Sequence, residues 1–458
     1  MAPGRNMRFA IDSSWWRRSA STGETLVAGS PLRVMRLDAR AEQLLDSLEN
    51  GDEIENSGAS LIERLLENGA IHPRVDVRAE HRFGCSDVSV VIPVHDEKHH
   101  EIVALVRSLS PASRVIVVDD GSRIPLAPVP GAEVVRRESA GGPGAARNTG
   151  LSSIDTALVL FVDADVVWND DAWSALLAHF DDDKVAAVAP RVMSDPGSSL
   201  LARYERTCSP LDLGPESARV RAGTRVSYVP AAAIMLRTES LRSVGGFDEA
   251  LRFGEDVDLV WRLDARGSRC RYEASATVFH RPRSSLVAAW RQRLSYGSAA
   301  ASLHARHPGA VAPLRLNRWS VASWVLAAAG HAVVGAGTAV ISTTMLVRKL
   351  GTVENRVPIA MRLAGRGNLH AGRLIAGALT RTWWPVTVLA CLVSRRARRV
   401  ALLAATVPNL AAWLSTRPDV DPSRFVMMRV ADDVAYGTGV WKGAIAQRDA
   451  GALLPIVD

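Results

Sequence analysis

The chain has 458 residues, 47% hydrophobic and only 5% aromatic, with 22% charged and a formal net charge of +7. That length gives two or three domains with enough chain to bury a core, and the apolar content excludes a disordered polymer. Cys85, Cys208, Cys270 and Cys391 lie far apart with no CxxC pair, which argues against a disulfide scaffold and a zinc knuckle, and a mean hydropathy of +0.05 excludes a many-span transporter.

Around Arg5 and Arg8 the apolar run and small-residue cleavage site of a secretory signal are missing. Residues 1–80 read as a small α+β module, with a Trp15-Trp16 pair and short strands around Thr25–Ala28 and Leu32–Leu37. A helix over Asp38–Leu48 follows from Leu44, Leu45 and Leu48 at helical spacing, with Gly51 as a stop, and Ser60–Glu67 repeats the pattern. Pro73–Asp87 is polar and reads as a linker.

From residue 88 to 283 the pattern changes. Val88–Pro93 is a continuous apolar run, the mark of a buried parallel strand, and Glu101–Leu109 is a helix with Ile102, Leu105, Val106 and Leu109 on one face. Strands at Arg114–Val118, Ala132–Arg136 and Thr156–Val162 follow, with a Gly-rich loop and helix at Gly141–Leu151. Alternating strands and helices predict a doubly wound α/β sheet whose ligand crevice lies at the carboxyl ends of the strands. The polar clusters sit at those ends.

Residues 284–458 read as helical. They hold 21 Lys+Arg and 7 Asp+Glu, a local +14, so the remainder carries 7 − 14 = −7. Residues 319–347 run without a formal charge and predict a tilted membrane span. Within 382–416, the shorter runs Thr382–Ser394 and Val400–Thr416 flank Arg395–Arg399, where an interfacial hairpin and two crossings are both open, as is a buried helical subdomain. Basic charge on an apolar, Trp-edged tail favours an anionic membrane surface as partner over nucleic acid, with the catalytic part cytoplasmic.

Five groups carry chemistry. Asp163-x-Asp165 places two carboxylates past a strand end, suited to a hard divalent cation that also touches a diphosphate, or to a capped loop. Asp119-Asp120-Gly121-Ser122 fits contacts to a nucleobase or ribose, or an ordinary turn. The Gly141–Gly150 loop comes after the third strand, so a sugar diphosphate with Arg147 on phosphate and Asn148 on sugar fits better than a dinucleotide; an NAD(P)-dependent oxidoreductase is the competing class. Glu255-Asp256-Val-Asp258 opens a helix with more acids than capping needs, leaving one as general base. His280 is structural, or the nitrogen of a mixed metal shell.

Val88–Glu97, Val117–Ser122, Gly144–Asn148, Asp163-x-Asp165, Gly245–Asp248 and Gly254–Leu259 stand in the order seen in inverting, GT-A fold family-2 glycosyltransferases, which the stretch Val88–Pro282 resembles. The resemblance implies an α/β nucleotide-sugar domain and hexosyl transfer from a UDP-sugar donor. It puts Pro93, Asp96 or Glu97 and Asp119–Asp120 near the nucleoside and Mn²⁺ or Mg²⁺ on Asp163 and Asp165, with His280 a third ligand. It makes Asp256 the base. The Gln-x-x-Arg-Trp of processive synthases is absent. The first 80 residues resemble PqqD-like peptide-binding modules. The three-part layout, with Ser295-Tyr-Gly297 and Arg306–Gly309, is similar to the glycosyltransferases of actinobacterial mycofactocin systems, which implies a β-linked glucose chain built from UDP-glucose on a peptide-derived acceptor.

Overall fold

The computed structural model describes residues 8–20, 23–54, 59–76, 80–283, 285–351 and 353–458; Arg5 and part of the linker, residues 77–79, lie outside them. Two units divide the chain. One comprises Met1–Ser19, Gly23–Gly197 and Cys208–Pro282, and the other Ala20–Thr22, Ser198–Thr207 and Arg283–Asp458.

The first unit begins with β1 (Phe9–Ile11), β2 (Trp16–Ala20), β3 (Gly23–Ala28), β4 (Arg33–Leu37), α1 (Ala39–Asn50), α2 (Ala59–Glu67) and β5 (Ile71–Pro73). Strands β2, β3 and β4 form one sheet, and β1 pairs antiparallel with β5. The Asp38 side chain caps α1 by accepting from the Ala41 amide at 2.8 Å, and Gly51 ends it at φ 76°. Leu26, Met35, Leu45, Leu48, Ile62 and Leu65 close a core of their own.

The larger part of this unit follows as β6 (Val88–Val94), α3 (His99–Ser108), β7 (Arg114–Asp120), β8 (Glu133–Arg137), α4 (Pro143–Leu151), β9 (Leu158–Val162), β10 (Val166–Val167), α5 (Asp171–Leu177) and β11 (Val185–Ser194). After α6 (Leu200–Cys208), which falls mostly in the second unit, come β12 (Ala218–Val220), β13 (Ala233–Arg237), α7 (Thr238–Ser243), α8 (Glu255–Ala265) and β14 (Arg269–His280). The sheet order is β10-β14-β11-β13-β9-β6-β7-β8, with β12 on β14. Strands β9, β6, β7 and β8 are parallel, as the apolar runs predict, whereas β13 lies antiparallel between β9 and β11. The sheet is therefore mixed.

Charge joins the N-terminal elements to this sheet. Arg269 on β14 has a fully buried side chain and reaches Glu63 and Glu67 of α2 and Asp182, the last two at 2.6 Å. Arg219 and Arg221 bridge Glu67 to Asp264 near the end of α8. Beside them Arg271 is buried, its Nε and Nη2 meet no protein acceptor, and burial pushes its pKa down to about 10.

The second unit adds α9 (Leu286–Arg306), β15 (Arg315–Leu316), α10 (Arg318–Ala328), α11 (Ala332–Lys349), α12 (Arg356–Thr380), α13 (Trp384–Val393), α14 (Arg395–Thr416), α15 (Pro422–Gln447) and β16 (Ile456–Val457). Helices α9 and α15 pack backbone to backbone: a Cβ on Gly297 would stand 2.0 Å from the Tyr436 carbonyl oxygen, and one on Gly439 2.0 Å from that of Leu294. We expect Gly439→Val to lose stability by about 1–3 kcal/mol or more, read as a lower unfolding midpoint of the full chain, because backbone cannot yield as a flexible side chain does.

The continuous span expected over 319–347 is not formed. The run breaks at Gly330 (φ 91°) into α10 and α11, which fold back so that the Ser323 hydroxyl donates to the Gly335 carbonyl at 2.6 Å. Among the described residues no single helix is long and apolar enough to cross a membrane; α12 and α13 pass only together and are bent by 83°.

Candidate active site

The loops that follow β6, β7 and β9 meet at one edge of the sheet because those three strands are parallel and in register. Pro93 sits in β6 opposite Val118 of β7. Asp96 and Glu97 are exposed just beyond, with Asp96 at φ 57°. The Asp96 carboxylate accepts from the Arg123 amide at 2.9 Å, and its pKa is lowered by that bond and by the Arg123 guanidinium.

Asp119 and Asp120 both face inward. Asp119 accepts from the Ser122 and Leu126 amides at 3.0 Å and from Arg136. Burial would raise its pKa, but these bonds outweigh it and hold the group at about 2. Asp120 accepts from the Gly141 and Gly142 amides at 2.9 and 2.7 Å and faces Arg137 at 2.8 Å, so it ties β7 to the Gly-rich loop. In this structure the pair braces the ends of β7 and the Gly-rich loop, through Arg136 on Asp119 and Arg137 on Asp120, two arginines that the sequence did not single out.

Arg147 and Asn148 are used differently from the sequence expectation. Arg147, buried on α4, donates to Glu255 and Asp163 at 2.7 Å each, and its guanidinium lies 5.3 Å from the Phe247 ring centroid. A buried cation takes the nearest carboxylates, so its fork does not stand open to a phosphate. The Asn148 amide donates to the Phe247 carbonyl and Glu249 and accepts from the Phe247 amide, all at 2.9 Å, which locks the Gly245–Asp248 turn instead of reaching into the crevice.

Around Arg147 three carboxyl groups gather from distant parts of the chain. Asp163 follows β9; Glu255 and Asp256 open α8 after Gly254 (φ 79°). Asp256 accepts from the Ala231 and Val257 amides at 3.1 and 2.8 Å. Burial raises the pKa of all three, and repulsion adds to it: Asp165 on Asp163, Asp256 on Glu255, Asp163 on Asp256. Glu255 is pushed up to about 7.

That shift gives a sign. Between the ordinary range and about 7 the folded chain holds a Glu255 proton that the unfolded chain has released, so stability falls as pH rises through this window. We expect urea midpoints to decline from pH 5 to 7.5 and Glu255→Gln to flatten the slope.

Asp165 and His280 meet across the β10–β14 pair, His280 Nε2 lying 3.0 Å from Asp165 Oδ2. Among the described residues no three His, Cys, Asp or Glu side chains converge as a ready metal shell. The donor chemistry of Asp163 and Asp165 nonetheless fits a hard cation: two carboxylates with one residue between them, the pKa of Asp163 raised by burial and by the charge of Asp165, which a cation would offset. His280, the third ligand that the resemblance implies, thus stands directly beside Asp165 and pairs with its carboxylate in this structure.

Comparisons with known proteins give the following. Residues 89–245 match the family described as glycosyl transferase family 2. Over 468 residues the chain is 39% identical to the pre-mycofactocin glycosyltransferase of Mycobacterium tuberculosis, covering 98% of this chain and 97% of that protein. It is 26% identical to the succinoglycan biosynthesis protein ExoA of Rhizobium meliloti over 258 residues, 49% of this chain and 75% of that one. Among solved structures, the mannosyltransferase PcManGT from Pyrobaculum calidifontis, in complex with GDP-Man and Mn²⁺, is 16% identical with a TM-score of 0.42, covering 81% of this chain and 90% of that chain.

Proposed function

The chain belongs to glycosyl transferase family 2, and from that premise we propose that it moves glucose from UDP-glucose, with inversion, onto a hydroxyl of a peptide-derived redox cofactor of the mycofactocin type, building a β-linked oligosaccharide. The observation that carries this reading is 39% identity across nearly the whole length of both chains, C-terminal region included.

Asp256 takes the acceptor proton in this mechanism. The acceptor oxygen attacks the anomeric carbon from the face opposite the nucleotide, the new C–O bond forms as the bond to the diphosphate breaks, and the electron pair leaves with UDP. Arg147 holds Asp163 and Glu255 in place beside the base. Mn²⁺ or Mg²⁺, held by Asp163 and Asp165, would offset charge on the departing diphosphate. Residues 1–80 would present the peptide-derived acceptor, and the enzyme would work at the cytoplasmic face of the cell membrane.

Mass spectrometry of products from the purified protein, UDP-glucose and the cofactor precursor tests this. Hexose increments removed by a β-glucosidase are expected. Increments from GDP-mannose but not UDP-glucose would overturn the donor. The likeness to the succinoglycan protein supports a second reading, transfer to a cell-envelope glycan or lipid. Products on a lipid-linked acceptor, with none on the peptide-derived one, would favour it.

A further inference from the structure

Helix α13 spans ten residues without a charged side chain, and none of them is buried. Val386, Leu389, Leu392 and Val393 expose 54, 64, 72 and 87% of their surface. A helix apolar on every side belongs inside a core or against lipid. The neighbouring α14 continues the exposed apolar surface through Leu402, Leu403, Val407 and Leu414.

Between α12, α13 and α14 lies an apolar cleft of about 370 Å³, lined by Leu379, Trp383, Val386, Ala390, Val400 and Ala401. Its volume is that of a small-molecule site. The Thr387 hydroxyl at its wall donates to the Leu379 carbonyl at 2.9 Å, so the proton of that polar side chain is used within the protein. Its α14 wall is flanked in sequence by Arg395, Arg396, Arg398 and Arg399, all exposed. The surrounding charge is one-sided: from Ala274 to Pro418 Glu354 is the single acidic residue, while residues 356–416 carry nine arginines.

We infer that this cleft and the adjacent arginines form a binding site for an anionic glycerophospholipid of a bilayer leaflet, with one acyl chain in the cleft and the phosphate at Arg395–Arg399. At 1.5 Å per residue α13 is about 15 Å long, half the hydrocarbon thickness of about 30 Å, so it does not cross. Trp383 at one end and Arg395 beyond the other both belong at headgroup depth, which lays the helix in the plane of the interface. The inference rests on the membrane-surface reading above and names the lipid chemistry of that contact.

Flotation of the full chain with phosphatidylcholine vesicles, with and without a third of phosphatidylglycerol, tests it. Salt-sensitive binding to the anionic vesicles is expected, weakened about fivefold for each arginine removed in R395Q, R396Q, R398Q and R399Q. Ala390→Trp, which fills the cleft and keeps the charge, should lose the phospholipid that native mass spectrometry finds on the wild type. Equal binding to neutral vesicles, no binding, or a retained phospholipid in A390W would overturn the site. So would a dimer that Leu389→Asp dissociates, since a second copy would then cover this face. Turnover of UDP-glucose in detergent should be unchanged in these variants. A wild-type chain that floats with the anionic vesicles yet transfers no glucose would count against the proposed reaction and leave the lipid site standing.

Discussion

Replacing Asp256 by Asn is expected to slow sugar transfer by about 10²–10⁴-fold while UDP still binds. The carboxylate sits at the start of α8 with its oxygens facing the Ala231 and Val257 amides, and burial raises its pKa above the ordinary aspartate range. A raised pKa makes it a better proton acceptor from a hydroxyl. Asn keeps the shape and can still accept from one amide, but it cannot take the proton. Initial rates with UDP-glucose and calorimetry with UDP separate the two effects. Turnover at the wild-type level in Asp256→Asn would remove Asp256 from the proton transfer.

Arg269→Met is expected to destabilise the first unit by about 3–5 kcal/mol, because it strips the shared cation from Glu63, Glu67 and Asp182. The side chain is fully buried, so water cannot replace it. The mirror experiment is Glu63→Gln with Glu67→Gln, which leaves Arg269 with Asp182 alone and deprives the buried, already under-bonded Arg271 of a nearby negative charge. Both variants should lower the denaturation midpoint of the full chain, and removing residues 1–80 should do so more strongly. Wild-type midpoints in all three would show that the N-terminal elements are a detachable appendage. The expected result instead makes them part of the scaffold that holds α8, through Arg219, Arg221 and Asp264.

Much of the sheet was readable in advance because its signals are local. Apolar runs at Val88–Pro93, Arg114–Val118 and Thr156–Val162 became β6, β7 and β9 with only small boundary changes, and Asp38 and Gly51 bounded α1 as capping chemistry requires. The antiparallel β13 and the passage of Ser198–Thr207 into the second unit carried no such signal. Neither alters the periodicity of the residues involved.

Order and type of the motifs therefore came from the sequence alone: acids at strand ends, a Gly-rich loop after the third strand, acids opening a helix, and with them the family. Tertiary structure alone decided how these groups use their charge. Arg147 joins Asp163, 16 residues away, to Glu255, 108 away, and Asn148 closes on Phe247 across 99. Arg269 finds Glu67 across 202. A local pattern records which face of an element is apolar, whereas a buried ion takes whichever opposite charge the fold brings within about 3 Å, at a cost in desolvation that only a partner can offset. The same limit hid the break at Gly330, where an uncharged run long enough to span a bilayer folds back on itself.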